Sequence, residues 1–89
     1  MATLVVHMKV KEYPAFRMVF DNASSTRTRF GGTGHKVLQS PTDPNEITIL
    51  SEWRTLEQAK VYADSKEIKE AMKNAGVISQ PDLTFLVEA

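Results

Sequence analysis

Apolar and polar residues alternate one for one through "TLVVHMKV" at residues 3–10, with Leu4, Val6, Met8 and Val10 on one side and Val5, His7 and Lys9 on the other. Period two is the geometry of a strand, whose successive side chains point to opposite faces. From Tyr13 the period lengthens. Tyr13, Phe16, Val19, Phe20, Ala23 and Phe30 recur at helical spacing until Gly31 and Gly32 end the run, and Pro14 suits a first helical turn. Ser24-Ser25-Thr26 is a weak helix former, so the second half of this helix is expected to bend or fray. Two short β-branched runs, "TGHKVLQS" and "EITILSEW", flank "PTDPN" and predict a hairpin. Thr55 with Gln58 three residues on has the form of a capping box, opening a helix with Leu56, Ala59, Tyr62 and Ala63 inward. Ser65 reads as a fresh N-cap for a second piece with Ile68, Ala71, Met72 and Ala75 inward, ended by Gly76 and a loop holding Pro81. "DLTFLVE" supplies a last strand.

The order β-α-β-β-α-β predicts a single α+β domain over residues 1–89, ferredoxin-like, with a four-stranded antiparallel sheet and helices on one face only. Pairing Ser40 with Glu46 across the hairpin sets His35 opposite Ser51, Val37 opposite Ile49 and Leu38 opposite Thr48, and residues directly opposite share a face. The more apolar face then collects Leu4, Val6, Met8, Val10, Val37, Ile47, Ile49, Trp53, Leu83, Phe85 and Val87, with His35, Gln39 and Ser51 among them, and is expected beneath the helices. The other face carries Val5, Leu38, Leu50 and Leu86, one aliphatic residue from each strand, ringed by His7, Lys9, Lys36, Thr48, Glu52, Thr84 and Glu88. An apolar band with a charged border has the anatomy of a partner surface, so face-to-face sheet packing of two copies is expected.

Composition narrows the functional classes. Eleven Lys and Arg balance eleven Asp and Glu, which removes the electrostatic footprint of a nucleic-acid or anionic-membrane binder. The halves are uneven, with six basic and two acidic residues in 1–36 and five and nine in 37–89, but a fold that interleaves its halves mixes this asymmetry away. The open face also lacks the aromatic residues on which an RNA-recognition module stacks bases. No cysteine is present, so disulfides, thiolate metal sites and thiol nucleophiles are excluded. No apolar run approaches the roughly 20 residues of a membrane span, and no basic leader precedes the first strand, so a cytoplasmic protein is expected.

The chemistry-bearing residues gather on the helix-facing side. His35, Ser51 and Trp53 are expected together near the end of the sheet where the first and third strands run out and both helices begin, roofed by Phe16, Phe20, Tyr62 and Met72. Polar groups inside an aromatic lining suit a small-molecule pocket, and His35 could move a proton near neutral pH. Equally, His35 and Ser51 could satisfy each other within an ordinary core. His7 points to the open face beside Lys9 and Glu52, where an interfacial hydrogen bond is the simpler role; a one-residue slip would bring it to the pocket as a second catalytic candidate. Two histidines on different strands and opposite faces give no metal-ligand spacing, Ser51 has no nucleophile elbow, and "GGTG" opens a strand rather than a helix and is a turn.

A strand ending in "EW", then "TLEQAKVYADSKEIKEAMKNAGV", then "PDLTFLVE", preceded by "DPNE", resembles the antibiotic biosynthesis monooxygenase-like group of the dimeric α/β-barrel superfamily. The likeness covers nearly the whole chain and is most specific over residues 43–88. It implies a homodimer with a pocket between sheet and helices in each subunit, and activities that include cofactor-independent oxygenation of polycyclic aromatics and haem degradation. By spacing from Trp53, the haem-degrading branch's tryptophan and histidine ligand correspond to Tyr62 and Met72, so the haem ligand is missing and no cofactor is expected. Two functions follow: a cofactor-independent monooxygenase or cyclase-like enzyme binding an apolar or aromatic substrate against Trp53, Phe16 and Tyr62 with His35 as base, or a non-catalytic homodimer binding an apolar or fatty-acid-like ligand.

Overall fold

The alternation at the N-terminus becomes strand β1, Ala2–Lys9, in the computed structural model, which describes all of residues 1–89. Leu4, Val6 and Met8 are buried on one side and Val5 is half-buried on the other, as period two dictates. Helix α1, Tyr13–Asn22, takes Pro14 in its first turn. Its leading N–H, on Tyr13, is satisfied from across the chain by Asn45 Oδ1 at 2.9 Å.

The expected bend is a full break. Ala23 leaves the helical conformation and a separate six-residue helix α2, Ser24–Arg29, follows. Ser and Thr hydroxyls compete for backbone carbonyls, and here Thr28 Oγ1 donates to Ser24 O at 3.1 Å. Strands β2, Gly32–Gln39, and β3, Glu46–Trp53, form the hairpin. Helices α3, Leu56–Ala63, and α4, Lys66–Asn74, lead to β4, Asp82–Val87. Thr55 Oγ1 accepts from Gln58 N at 3.1 Å, but the box does not close: the Gln58 side chain meets the Thr55 hydroxyl rather than its backbone N–H. Ser65 caps α4 through Ile68 N, and Gly76, at φ 78°, ends it in the left-handed conformation that a side chain disfavours.

The sheet order is β2-β3-β1-β4 with every neighbouring pair antiparallel, the ferredoxin-like arrangement. His35 pairs with Ser51, Val37 with Ile49 and Leu38 with Thr48, the register expected from the hairpin alone. One face carries the core, with Leu4, Val6, Met8, Ile47, Ile49 and Trp53 packed against Phe16, Phe20, Ala59, Tyr62 and Ile68 of the helices. Leu83 and Val87 share that face through their partners Val6 and Ala2, yet they are exposed, because β4 is an edge strand at the margin of the helical layer.

Two placements differ from expectation. Trp53 pairs with Ala2 and Gly32, so the end of the sheet carrying it is where β3 finishes and β1 and β2 begin. Antiparallel pairing requires this, and it leaves only α3 starting there; α1 starts at the opposite end, after Lys9. His7 lies on the open face as expected, but its neighbours are Glu46, with Nε2 3.7 Å from Oε2, and Asp82, with Nδ1 3.8 Å from Oδ2. Glu52 instead receives the Thr3 hydroxyl at 3.0 Å. No helix is long and apolar enough to cross a membrane.

Candidate functional site

Trp53 is the innermost side chain of the site, 0% exposed. Its indole N–H donates to Ser51 Oγ at 2.9 Å, and the Ser51 hydroxyl donates in turn to Leu4 O at 3.2 Å. Ser51 therefore spends its one donor on a core carbonyl and accepts from Trp53 rather than pairing with His35, and has no activating base. Tyr62 packs on Trp53 with ring centroids 4.8 Å apart. Burial raises the Tyr62 phenol above its ordinary value, against the opposing pull of Arg27, so it stays a neutral hydroxyl at physiological pH.

His35 sits nearer the surface. Its imidazole stands edge-on to Phe20 with centroids 4.9 Å apart, and the residue is exposed. Partial burial, then the charges of Arg27 and Arg17, lowers its pKa below the ordinary imidazole value of 6.5, against a weaker pull from Asp21. The neutral form therefore prevails at pH 7, which is the form a base requires.

The residue that sequence reasoning missed is Arg27, on α2 and only 7% exposed. Its guanidinium carbon lies 3.8 Å from the Phe20 ring centroid, and Nη1 donates to Phe20 O at 2.8 Å, taking up a carbonyl at the α1–α2 break. Nη2 is buried without a hydrogen-bond partner. A Cβ on Gly32 would stand 2.9 Å from Arg27 O, so glycine there permits the close approach of β2 to α2.

Two spaces meet at Arg27 and Ser51. Behind them, between sheet and helices, is an apolar cavity of about 60 Å³ whose walls include Phe16, Phe20, Tyr62 and Met72. In front is a polar groove of about 330 Å³ bordered by Thr28, Gly34, His35 and Trp53. The expected site residues thus divide: Phe16, Phe20, Tyr62 and Met72 line the interior, His35 and Trp53 the groove, and Ser51 both. His7 touches neither, because the register fixes it on the opposite face. The interior alone holds a small substituent; the groove falls in the size range of small-molecule sites. No three His, Asp or Glu side chains converge as metal ligands would.

A family model described as antibiotic biosynthesis monooxygenase matches residues 1–74, from β1 to the end of α4. The last strand, part of the stretch whose likeness looked most specific, lies beyond the match. No curated protein matches the sequence closely enough to count as a relative. Among solved structures, a putative antibiotic biosynthesis monooxygenase from Bordetella bronchiseptica superimposes with a TM-score of 0.83 at 17% identity, covering 99% of this chain and 96% of that one. One from Nitrosomonas europaea gives 0.76 at 16% identity, with 99% and 98% covered. SnoaB from Streptomyces nogalater, described as a cofactor-independent oxygenase, gives 0.75 at 16% identity, with 99% and 94% covered. At these identities the structural likeness speaks for the fold.

Proposed function

The chain belongs to the antibiotic biosynthesis monooxygenase family, and from that premise we propose that it is a cofactor-independent monooxygenase acting on an apolar, aromatic small molecule held between sheet and helices. The observation that carries this reading is the pairing of two spaces that share Ser51 and Arg27 as walls, a groove bordered by a neutral His35 and an aromatic-lined interior. SnoaB, with the same fold, is a cofactor-independent oxygenase, which supports the reaction class.

In this mechanism the substrate enters by the groove and places an apolar group past Ser51 against Phe16, Tyr62 and Met72. His35 removes a proton from an activated CH2 carbon, leaving the C–H electron pair on the substrate as a stabilised carbanion. The carbanion gives one electron to O2, the substrate radical and superoxide join in a C–O bond, and the peroxide recovers the proton from the imidazolium. Loss of water leaves a carbonyl, so CH2 and O2 become C=O and H2O. His35 needs no orienting carboxylate for a single proton transfer of this kind, provided the carbon lies within its reach.

Oxygen uptake with an anthrone-type substrate tests this, and substrate-dependent uptake is the expected result. Binding of the substrate without any uptake would place the protein among non-catalytic ligand-binding dimers instead.

The partner in this reading is a second copy, packed through the open face. Val5 pairs with Leu50, and Leu38 and Leu86, 43% and 50% exposed, extend the band to the strands on either side. Burying the band would supply several kcal/mol before association costs, at about 25 cal/mol per Å². Leu50→Glu places a charge at its centre and should give monomers by native mass spectrometry. A well-behaved Leu50→Glu dimer would rule this face out.

A further inference from the structure

We propose that Arg27 is an anion-recognition site, so that the natural ligand is an aromatic molecule carrying an acidic oxygen, of the arene carboxylate class, seated with that oxygen at the junction of groove and interior. The inference rests on the pocket of the preceding section but not on oxygen chemistry.

A buried guanidinium is costly unless its charge and donors are matched. Arg27 is over nine-tenths buried and forms an ion pair with no carboxylate of the chain. Asp21, the acidic side chain that acts on it through space, is committed to Arg17, with Nε 3.1 Å from Oδ1. Stacking on Phe20 and the bond to Phe20 O account for the position of Arg27, and the Tyr62 hydroxyl nearby also favours its charged form, but Nη2 has no hydrogen-bond partner.

Arg27 and Ser51 are the two residues that line both the groove and the interior. Ser51 spends its one donor on Leu4 O, and the Thr28 hydroxyl donates to Ser24 O. Of the two residues shared by both spaces, Arg27 is the one with a donor left, and it is cationic, with Arg17 adding positive charge nearby, 5.6 Å from the centroid of the same Phe20 ring. A cation with an unpaired NH2 group beside an apolar cavity selects an acceptor bearing negative charge, because a neutral acceptor leaves the charge uncompensated. The aromatic half of the ligand follows from the walls: His35 and Trp53 on the groove side, Phe16, Phe20 and Met72 within.

The test is a titration of the whole protein with 1-naphthoate and its neutral isostere 1-naphthamide, followed by fluorescence of Trp53, the single tryptophan. Wild type should bind naphthoate roughly 10- to 100-fold more tightly than naphthamide, the size of a charge-assisted hydrogen bond. Arg27→Met, which keeps the aliphatic bulk and removes the charge, should bind the two equally. If that variant does not fold, the wild-type preference and the arginine side-chain N–H resonances of wild type decide. Naphthoate should shift one arginine signal, absent in Arg27→Lys, and naphthamide should not. Equal affinity in wild type, a preference retained in Arg27→Met, or no naphthoate binding overturns the proposal. Equal binding of both probes would leave the pocket standing while removing the anion site. Failure of oxygen uptake beside a clear naphthoate preference would do the reverse, removing the oxygenase reading alone.

Discussion

Trp53→Ala is expected to lower the unfolding free energy by about 3–5 kcal/mol, the range for truncating a large aromatic in a packed core. Three contributions add. The indole is fully enclosed, so its removal forfeits the whole transfer term and leaves a cavity beneath Tyr62 and beside Ala59. The Ser51 hydroxyl loses its donor at a buried position. Trp53 also ends β3 and pairs with Ala2 and Gly32, so loosening it unsettles the starts of both neighbouring strands. Against the roughly 5–15 kcal/mol that holds a typical domain, this loss is a large share of the total. Urea denaturation followed by far-ultraviolet circular dichroism measures it. Trp53→Phe should lose less, since it keeps ring volume and gives up mainly the hydrogen bond. A Trp53→Ala variant within about 1 kcal/mol of wild type would contradict the packing described.

His35→Ala is expected to lower kcat by about 10²–10⁴-fold, the usual contribution of a positioned general base, with little change in stability because the imidazole is partly exposed and makes no buried hydrogen bond. The wild-type pH profile should carry the same signature. Only neutral imidazole accepts a proton, so activity rises with pH through the His35 pKa and then levels off. Partial burial together with Arg27 and Arg17 lowers that pKa, so the rise should be centred below 6.5. In His35→Ala the limb should vanish along with the rate. A profile still rising well above pH 6.5, or an unchanged one in the variant, would assign the base elsewhere.

Much of this could be read from spacing. Period two in β1 and β3, with the prolines between β2 and β3, fixed a register in which one residue of slip would have turned every apolar side chain outward; pairing of His35 with Ser51 followed directly. The direction of the strands at Trp53 was harder, because it depends on which ends meet in an antiparallel sheet rather than on any local pattern. The hydrogen bonds of Ser51 were not legible either. Sharing a face with His35 does not say which donor lies closer, and an indole two residues along the same strand won. Arg27 left a signal that charge obscured. It falls four residues after Ala23 and seven after Phe20, on the inward stripe of the first helix. A basic residue in a Ser/Thr-rich segment reads as solvated, and only the break at Ala23 and the Phe20 carbonyl beside it show why this one is not. His7 was placed on the correct face, but its carboxylate neighbours depended on the β4 register, where Asp82 lies opposite it.

In the proposed reaction this chain inserts oxygen from O2 into a substrate held between its sheet and helices, with its own residues as the only catalysts. Mass spectrometry of the product formed from an anthrone-type substrate under 18O2, in buffer free of flavin and metal, bears on it most directly. The expected result is one labelled oxygen atom in the product carbonyl per substrate consumed by wild type, and none above background in His35→Ala. Unlabelled product, or no product from a substrate that the wild-type protein binds, would contradict it.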